Sequence, residues 1–185
     1  MRWVKILGCA LAVLVVAWAV PIIALNAIEN KHAVDPRGLI VDNPRAYPSL
    51  KPRKWIDQVA SGSEGVYTRS WSSGQVRLLE SVHRYGSSIS AVYAFSTQDP
   101  VFAYERKVQT PLANQPAGLR ADQVEIFCAD FISTRGFRDK CLAWGAWLRY
   151  GQYTVYIAIK NAILSEPEFA SITQRADAVA NQAFR

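Results

Sequence analysis

Apolar residues fall along this chain in three regimes. From Ile6 to Ile28 they run continuously, with no carboxylate, amine or guanidinium inside the run and Arg2 and Lys5 just before it. From residue 29 to 54 polar and charged side chains dominate, broken by the triplet Leu39-Ile40-Val41. From Trp55 to Arg185 apolar positions recur with period two or near 3.6, as in strands and helices that each bury one face.

At 1.5 Å rise per residue the first run makes about 34 Å of helix, enough to cross the roughly 30 Å hydrocarbon core of a bilayer. It is apolar on every side, unlike the single stripe of a soluble helix. The expectation is a transmembrane signal-anchor helix over residues 1–28. Two other readings compete with it. Ala17-Trp18-Ala19 fits a small-x-small cleavage site behind a basic start, which would make the segment a removable signal. Ile6-Leu7-Gly8-Cys9 resembles a lipoprotein processing box, although only five residues precede it. Within an anchor, Gly8 and Ala12, and the series Ala10, Ala17 and Ala24, align small residues along the helix faces and allow close helix packing in lipid.

Basic residues crowd the first flank, whereas Lys31 and Arg37 alternate with Glu29, Asp35 and Asp42 on the second. The positive-inside tendency then predicts a cytoplasmic N-terminus, a single membrane pass and an extracytoplasmic C-terminal domain. Residues 29–54 hold Pro36, Pro44, Pro48 and Pro52 among alternating charges. Proline at this spacing favours extended polyproline-like backbone, so these residues predict an arm reaching about 80 Å at 3.1 Å per residue. Leu39, Ile40 and Val41 are its candidate contact, as an edge strand or against a partner.

Residues 55–185 predict an exported α+β domain: a small antiparallel sheet backed by helices on one side. Lys54 to Ala60 reads as a short helical turn. Val66 to Trp71 and Gln75 to Arg84 read as a hairpin around Ser72-Ser73-Gly74. Ser88 to Thr97 fits both helix and strand, and Asp99-Pro100 favours helix, as the cap of a following short helix. Val124 to Phe131, Lys140 to Tyr150 and Tyr153 to Lys160 read as strands, the last pair joined at Tyr150-Gly151. Ser165 and Glu168 form a capping box around Pro167, opening an amphipathic C-terminal helix with Phe169, Ile172, Ala176, Val179, Ala180 and Ala183 on one face.

Charge narrows the function classes. The whole chain carries a formal +6, and removing Arg2 and Lys5 with the first run leaves +4. That balance suits acidic headgroups or an acidic partner, but no dense basic helix points to nucleic acid. Cys128 and Cys141 sit in or beside two neighbouring predicted strands, and the third cysteine, Cys9, lies in the apolar run. In an exported domain the pair is expected to form a disulfide. His32 and His83 are the only imidazoles and no C-x-x-C occurs, so no metal or cofactor is expected. Glu80 and His83 fall on opposite strand faces and make no acid–base pair. Ser61-Gly62-Ser63-Glu64-Gly65 lacks the order of a nucleophile elbow, and no catalytic residue set emerges.

Aromatics are the remaining signal. Trp144, Trp147, Tyr150, Tyr153 and Tyr156 crowd both faces of one hairpin. If one face lies uncovered it presents a partner surface; if both are covered the rings are core. Two functions remain open. One is a non-catalytic accessory or assembly subunit bound to the lipid bilayer and to integral membrane protein partners. The other is an extracytoplasmic domain binding or sensing a small molecule or envelope component.

Overall fold

The computed structural model describes residues 33–50, 54–63, 65–97, 110–111, 116–131 and 140–185. The apolar run, with Gly8, Ala10, Ala12, Ala17 and Ala24, lies outside them. Among the described residues no helix is long and apolar enough to cross a membrane. Residues 34–185 form one compact unit, distinct from 1–33.

Alternating apolar positions build an α+β domain around one antiparallel sheet. Its strands are β1 (Ile56–Ser63), β2 (Val66–Ser73), β3 (Val76–Arg84), the two-residue β4 (Thr110–Pro111), β5 (Gln123–Phe131), β6 (Lys140–Tyr150) and β7 (Tyr153–Ser165). Their order in space is β1-β2-β3-β7-β6-β5-β4. Two meanders are thus joined where β3 pairs with β7, Leu78 opposite Ile159 and Val82 opposite Val155.

Even-numbered residues of β3, β5 and β6 and odd-numbered residues of β7 make the larger core: Leu78, Val82, Ile126, Trp144, Ala146, Leu148, Val155, Ile157 and Ile159. Helix α2 (Glu166–Ala183) closes this face with Phe169, Ile172, Ala176 and Ala180 buried. Its Phe169 ring stacks on Trp144 with centroids 5.1 Å apart. At its start the Glu168 carboxylate accepts from the Ser165 backbone N–H at 2.7 Å and from the Ser165 hydroxyl at 2.8 Å, within the capping box read from the sequence.

The expected one-sided arrangement is corrected. Helix α1 (Ser88–Thr97), helical as the sequence favoured, covers the opposite face, where Phe127, Trp147, Tyr156 and Ala158 form a second core with Leu79 and Phe95 against it. Gly145 lies beneath the Phe127 ring, where a Cβ would collide with the ring carbons.

The stretch Lys54 to Ala60 is not a helical turn but the start of edge strand β1, paired with β2 through Ala60 opposite Arg69. Strand β7 continues five residues past Lys160 because it bulges. Asn161 adopts φ 60°, a conformation asparagine tolerates, and its amide donates to the Gln75 carbonyl at 2.9 Å. Beyond it the parity reverses, so Ala162 and Leu164 face the core in place of odd residues.

The largest correction concerns the arm. Residues 34–50 are not an extended spacer. They fold over β2, β3 and the C-terminal helix as two 3₁₀ turns, η1 (Pro36–Leu39) and η2 (Pro44–Ala46). Each starts at a proline preceded by a capping side chain: Asp35 accepts from Arg37 N–H at 3.0 Å and Asn43 from Arg45 N–H at 2.9 Å. Proline fits the first position because its missing N–H has no partner there. Leu39, Ile40, Val41, Tyr47 and Leu50 are all core residues. Leu39-Ile40-Val41 therefore packs inside its own domain, and is neither an edge strand nor an exposed contact.

Candidate functional site

The arm is fastened by one buried carboxylate. Strand β3 reads Val76, Leu78, Glu80, Val82 on its core face, so pairing register carries Glu80 into the interior with 0 % exposure. Its Oε2 accepts the Val41 backbone N–H at 2.7 Å, and its Oε1 accepts the Tyr47 hydroxyl in a short hydrogen bond. Loss of hydration raises the Glu80 carboxyl from its ordinary 4.5 to about 7, against the lowering pull of the two hydrogen bonds from Tyr47 and Val41. Tyr47 is pushed well up, first by burial and then by the neighbouring carboxylate. Beside this clasp Arg69 pairs with Asp42 of the arm and, at 2.7 Å, with Asp57 of β1. Its guanidinium lies 5.3 Å from the centre of the Trp71 ring.

A second buried carboxylate anchors a loop. Asp177, 4 % exposed on the inner face of α2, accepts the Tyr150 hydroxyl at 2.8 Å. It also accepts the backbone N–H groups of Arg120, at 3.1 Å, and Ala121, at 3.0 Å. Burial, followed by the bond to Asp177, drives the Tyr150 phenol far above its ordinary range. Gln174 holds the same loop through the Ala117 carbonyl at 3.1 Å. Between loop and helix lies a groove of about 720 Å³ lined by Leu119, Arg120, Gln174, Asn181 and Arg185, with Asp177 at its base. Guanidinium and amide groups around a hydrogen-bonded carboxylate equip it to hold a small polar molecule rather than to activate a nucleophile.

The residues singled out in the sequence take other positions. Trp144, Trp147, Tyr150, Tyr153 and Tyr156 are all buried within the chain. Trp144 donates its indole N–H to the Leu164 carbonyl at 3.0 Å. Trp147 and Tyr156 meet edge to face under α1, with Phe95 5.8 Å from Trp147. Tyr150 and Tyr153 pack on Phe184. The aromatic hairpin is therefore core on both faces, and no solvent-facing platform of these rings exists. Cys128 and Cys141 are joined, with Cα atoms 6.0 Å apart, and tie β5 to β6. His83 stacks on Tyr85 with centroids 6.4 Å apart. Among the described residues no group of three or more His, Cys, Asp or Glu side chains could hold a metal ion.

Glu80, Tyr47, Asp177 and Arg120 were not singled out by the sequence reading as site residues. A carboxylate in an otherwise apolar register, Glu80 between Leu78 and Val82 and Asp177 between Ala176 and Ala180, was the available signal. Compared with protein-family models, curated proteins and solved structures, the chain matches none.

Proposed function

We propose that the chain is a single-pass membrane-anchored extracytoplasmic domain serving as a non-catalytic accessory or assembly subunit of a membrane protein complex. The observation that carries this reading is the clasp between Glu80 and residues 41 and 47. It builds Leu39, Ile40, Val41, Tyr47 and Leu50, which follow the apolar run, into the domain core. The buried disulfide supports an oxidising compartment, and both buried carboxylates are engaged in holding segments of the chain together. Mild detergent extraction followed by affinity purification tests the reading. A stoichiometric complex with an integral membrane protein is expected, and a chain that always purifies alone overturns the accessory role.

The groove beside Asp177 favours a second reading, in which the domain binds a small polar envelope component with acceptor oxygens facing Arg120 and Arg185. A rise in melting temperature with such a ligand, abolished by Arg120→Ala, is its test.

A further inference from the structure

The carboxylate of Asp177 is buried without a counter-charge. Its Oδ1 accepts three donors: the Tyr150 hydroxyl at 2.8 Å, the Ala121 N–H at 3.0 Å and the Arg120 N–H at 3.1 Å. Its Oδ2 has only a share of the Arg120 N–H, also at 3.1 Å. A phenol and two backbone amides are neutral, so dipoles hold the charge and, among the described residues, no cation pairs with it. Charges this deep are ordinarily paired, because burying one alone is costly. The groove that Asp177 lines is the route by which a cation reaches it.

The rest of the lining decides what that cation carries with it. The other charged side chains of the groove are Arg120 and Arg185, both exposed. A bare amine approaching Asp177 meets their positive charge, whereas a molecule with a carboxylate of its own gains from it. A metal ion lacks ligands here, since no group of three His, Cys, Asp or Glu side chains occurs among the described residues. The side chains of Arg120, Asn181 and Gln182 make no hydrogen bond or ion pair with other described residues, so their donors are open to a ligand. Amides both donate and accept, which suits a peptide or carboxyl group. No aromatic ring lines the groove, so a nucleobase finds no stacking platform. From Asp177 to Gln182 the helix rises about 7.5 Å, roughly the span of two extended residues.

We propose that the groove binds a small zwitterion, an amino acid or dipeptide, with its ammonium on Asp177 Oδ2 and its carboxylate on Arg120. The inference rests on the second reading above, a small polar molecule in this groove, and names its class. The ammonium supplies the charge that Asp177 lacks, and its other protons turn to the side-chain oxygens of Asn181 and Gln182. The Arg120 guanidinium takes the carboxylate through two of its donors. Arg120 therefore serves both ends of the site. Its main-chain N–H holds Asp177, and its side chain holds the far end of the ligand.

The test titrates the full chain, in detergent micelles, with L-alanine and with L-alanyl-L-alanine by calorimetry. Each is compared with its N-acetylated anion and its C-amidated cation, which keep one charge apiece, and with inorganic phosphate. The zwitterion is expected to bind and to slow hydrogen exchange across residues 117–121, and each one-charge form to bind about tenfold more weakly or worse. Tighter binding of alanine assigns the site to free amino acids, and tighter binding of the dipeptide to peptides. Arg120→Gln should weaken the zwitterion about tenfold and leave the amidated cation bound as in the native chain; a fold defect would weaken both. Equal binding of the N-acetylated anion, or of phosphate alone, overturns the zwitterion and leaves the polar groove of the second reading standing. Binding that leaves exchange at 117–121 unchanged overturns this site as its seat. Failure of every probe overturns both.

Discussion

Replacing Glu80 by Gln should change how stability depends on pH more than it changes stability itself. Burial raises the carboxyl from 4.5 to about 7 in the folded chain. Between those values the native state holds a proton that the unfolded state has released, so stability falls as pH rises. Its contribution is fully present below about 4.5 and is lost as pH climbs through 7. At 1.36 kcal/mol per pKa unit the full effect is about 3 kcal/mol, most of which falls between pH 5 and pH 8. Glutamine fits the same space, accepts the Val41 N–H through its oxygen and donates through its nitrogen to the Tyr47 oxygen. It carries no charge to desolvate. Denaturant unfolding of native and Glu80→Gln chains at pH 5, 6, 7 and 8 should therefore show the variant gaining about 2–3 kcal/mol on the native chain across the range, roughly 5–10 °C in melting temperature for a domain of this size. Parallel curves for the two chains would refute the reasoning, because the clasp would then be no proton-linked element of the fold.

Other predictions concern separate parts of the domain. Tyr150→Phe removes a hydrogen bond to a buried carboxylate and should cost about 1.5–3 kcal/mol, read from denaturant midpoints. Asp177→Ala should in addition accelerate hydrogen exchange at the Arg120 and Ala121 amides, since both lose their acceptor. Reducing the Cys128–Cys141 bond reopens a loop of sequence separation 13; on the chain-entropy model this should lower unfolding free energy by about 3 kcal/mol, measured with and without reductant. Gly145→Ala forces the buried Phe127 ring aside and should destabilise by about 1–3 kcal/mol, with the loss reduced when Phe127 is shortened to Leu.

Strands β2, β3, β5 and β6, the hairpin turn at Gly151 and the capped C-terminal helix were legible because each has one regular period and a clear stop signal. The far end of β7 was not: the alternation from Tyr153 to Lys160 breaks at Asn161, and a parity reversal looks like the end of a strand. Strand β1 was missed because Ile56-Asp57-Gln58-Val59 has no alternation; its place follows from pairing with β2, a tertiary effect. Residues 34–50 misled because Pro36, Pro44 and Pro48 suggest extended chain, whereas Asp35-Pro36 and Asn43-Pro44 are turn starters that a reading of dipeptides would have caught. The candidate sites were the least legible part. A carboxylate in a core register announces itself only once the register is known, and the aromatic hairpin looked two-faced because both of its faces are indeed covered.

The folded arm also imposes an order on biogenesis. Gly38 in η1 lies against Ala183 in the last turn of α2, a Cβ built on it standing 3.7 Å from the alanine methyl, and Val34 is held by Tyr153. As the chain is synthesised from its amino-terminal end, residues 34–50 emerge before every surface they pack on. They must wait, with Leu39, Ile40, Val41 and Tyr47 uncovered, until the final helix has been made. Closure of the domain then reports that synthesis is complete, and chains stalled or clipped before residue 166 would display a hydrophobic segment for chaperones or proteases to read.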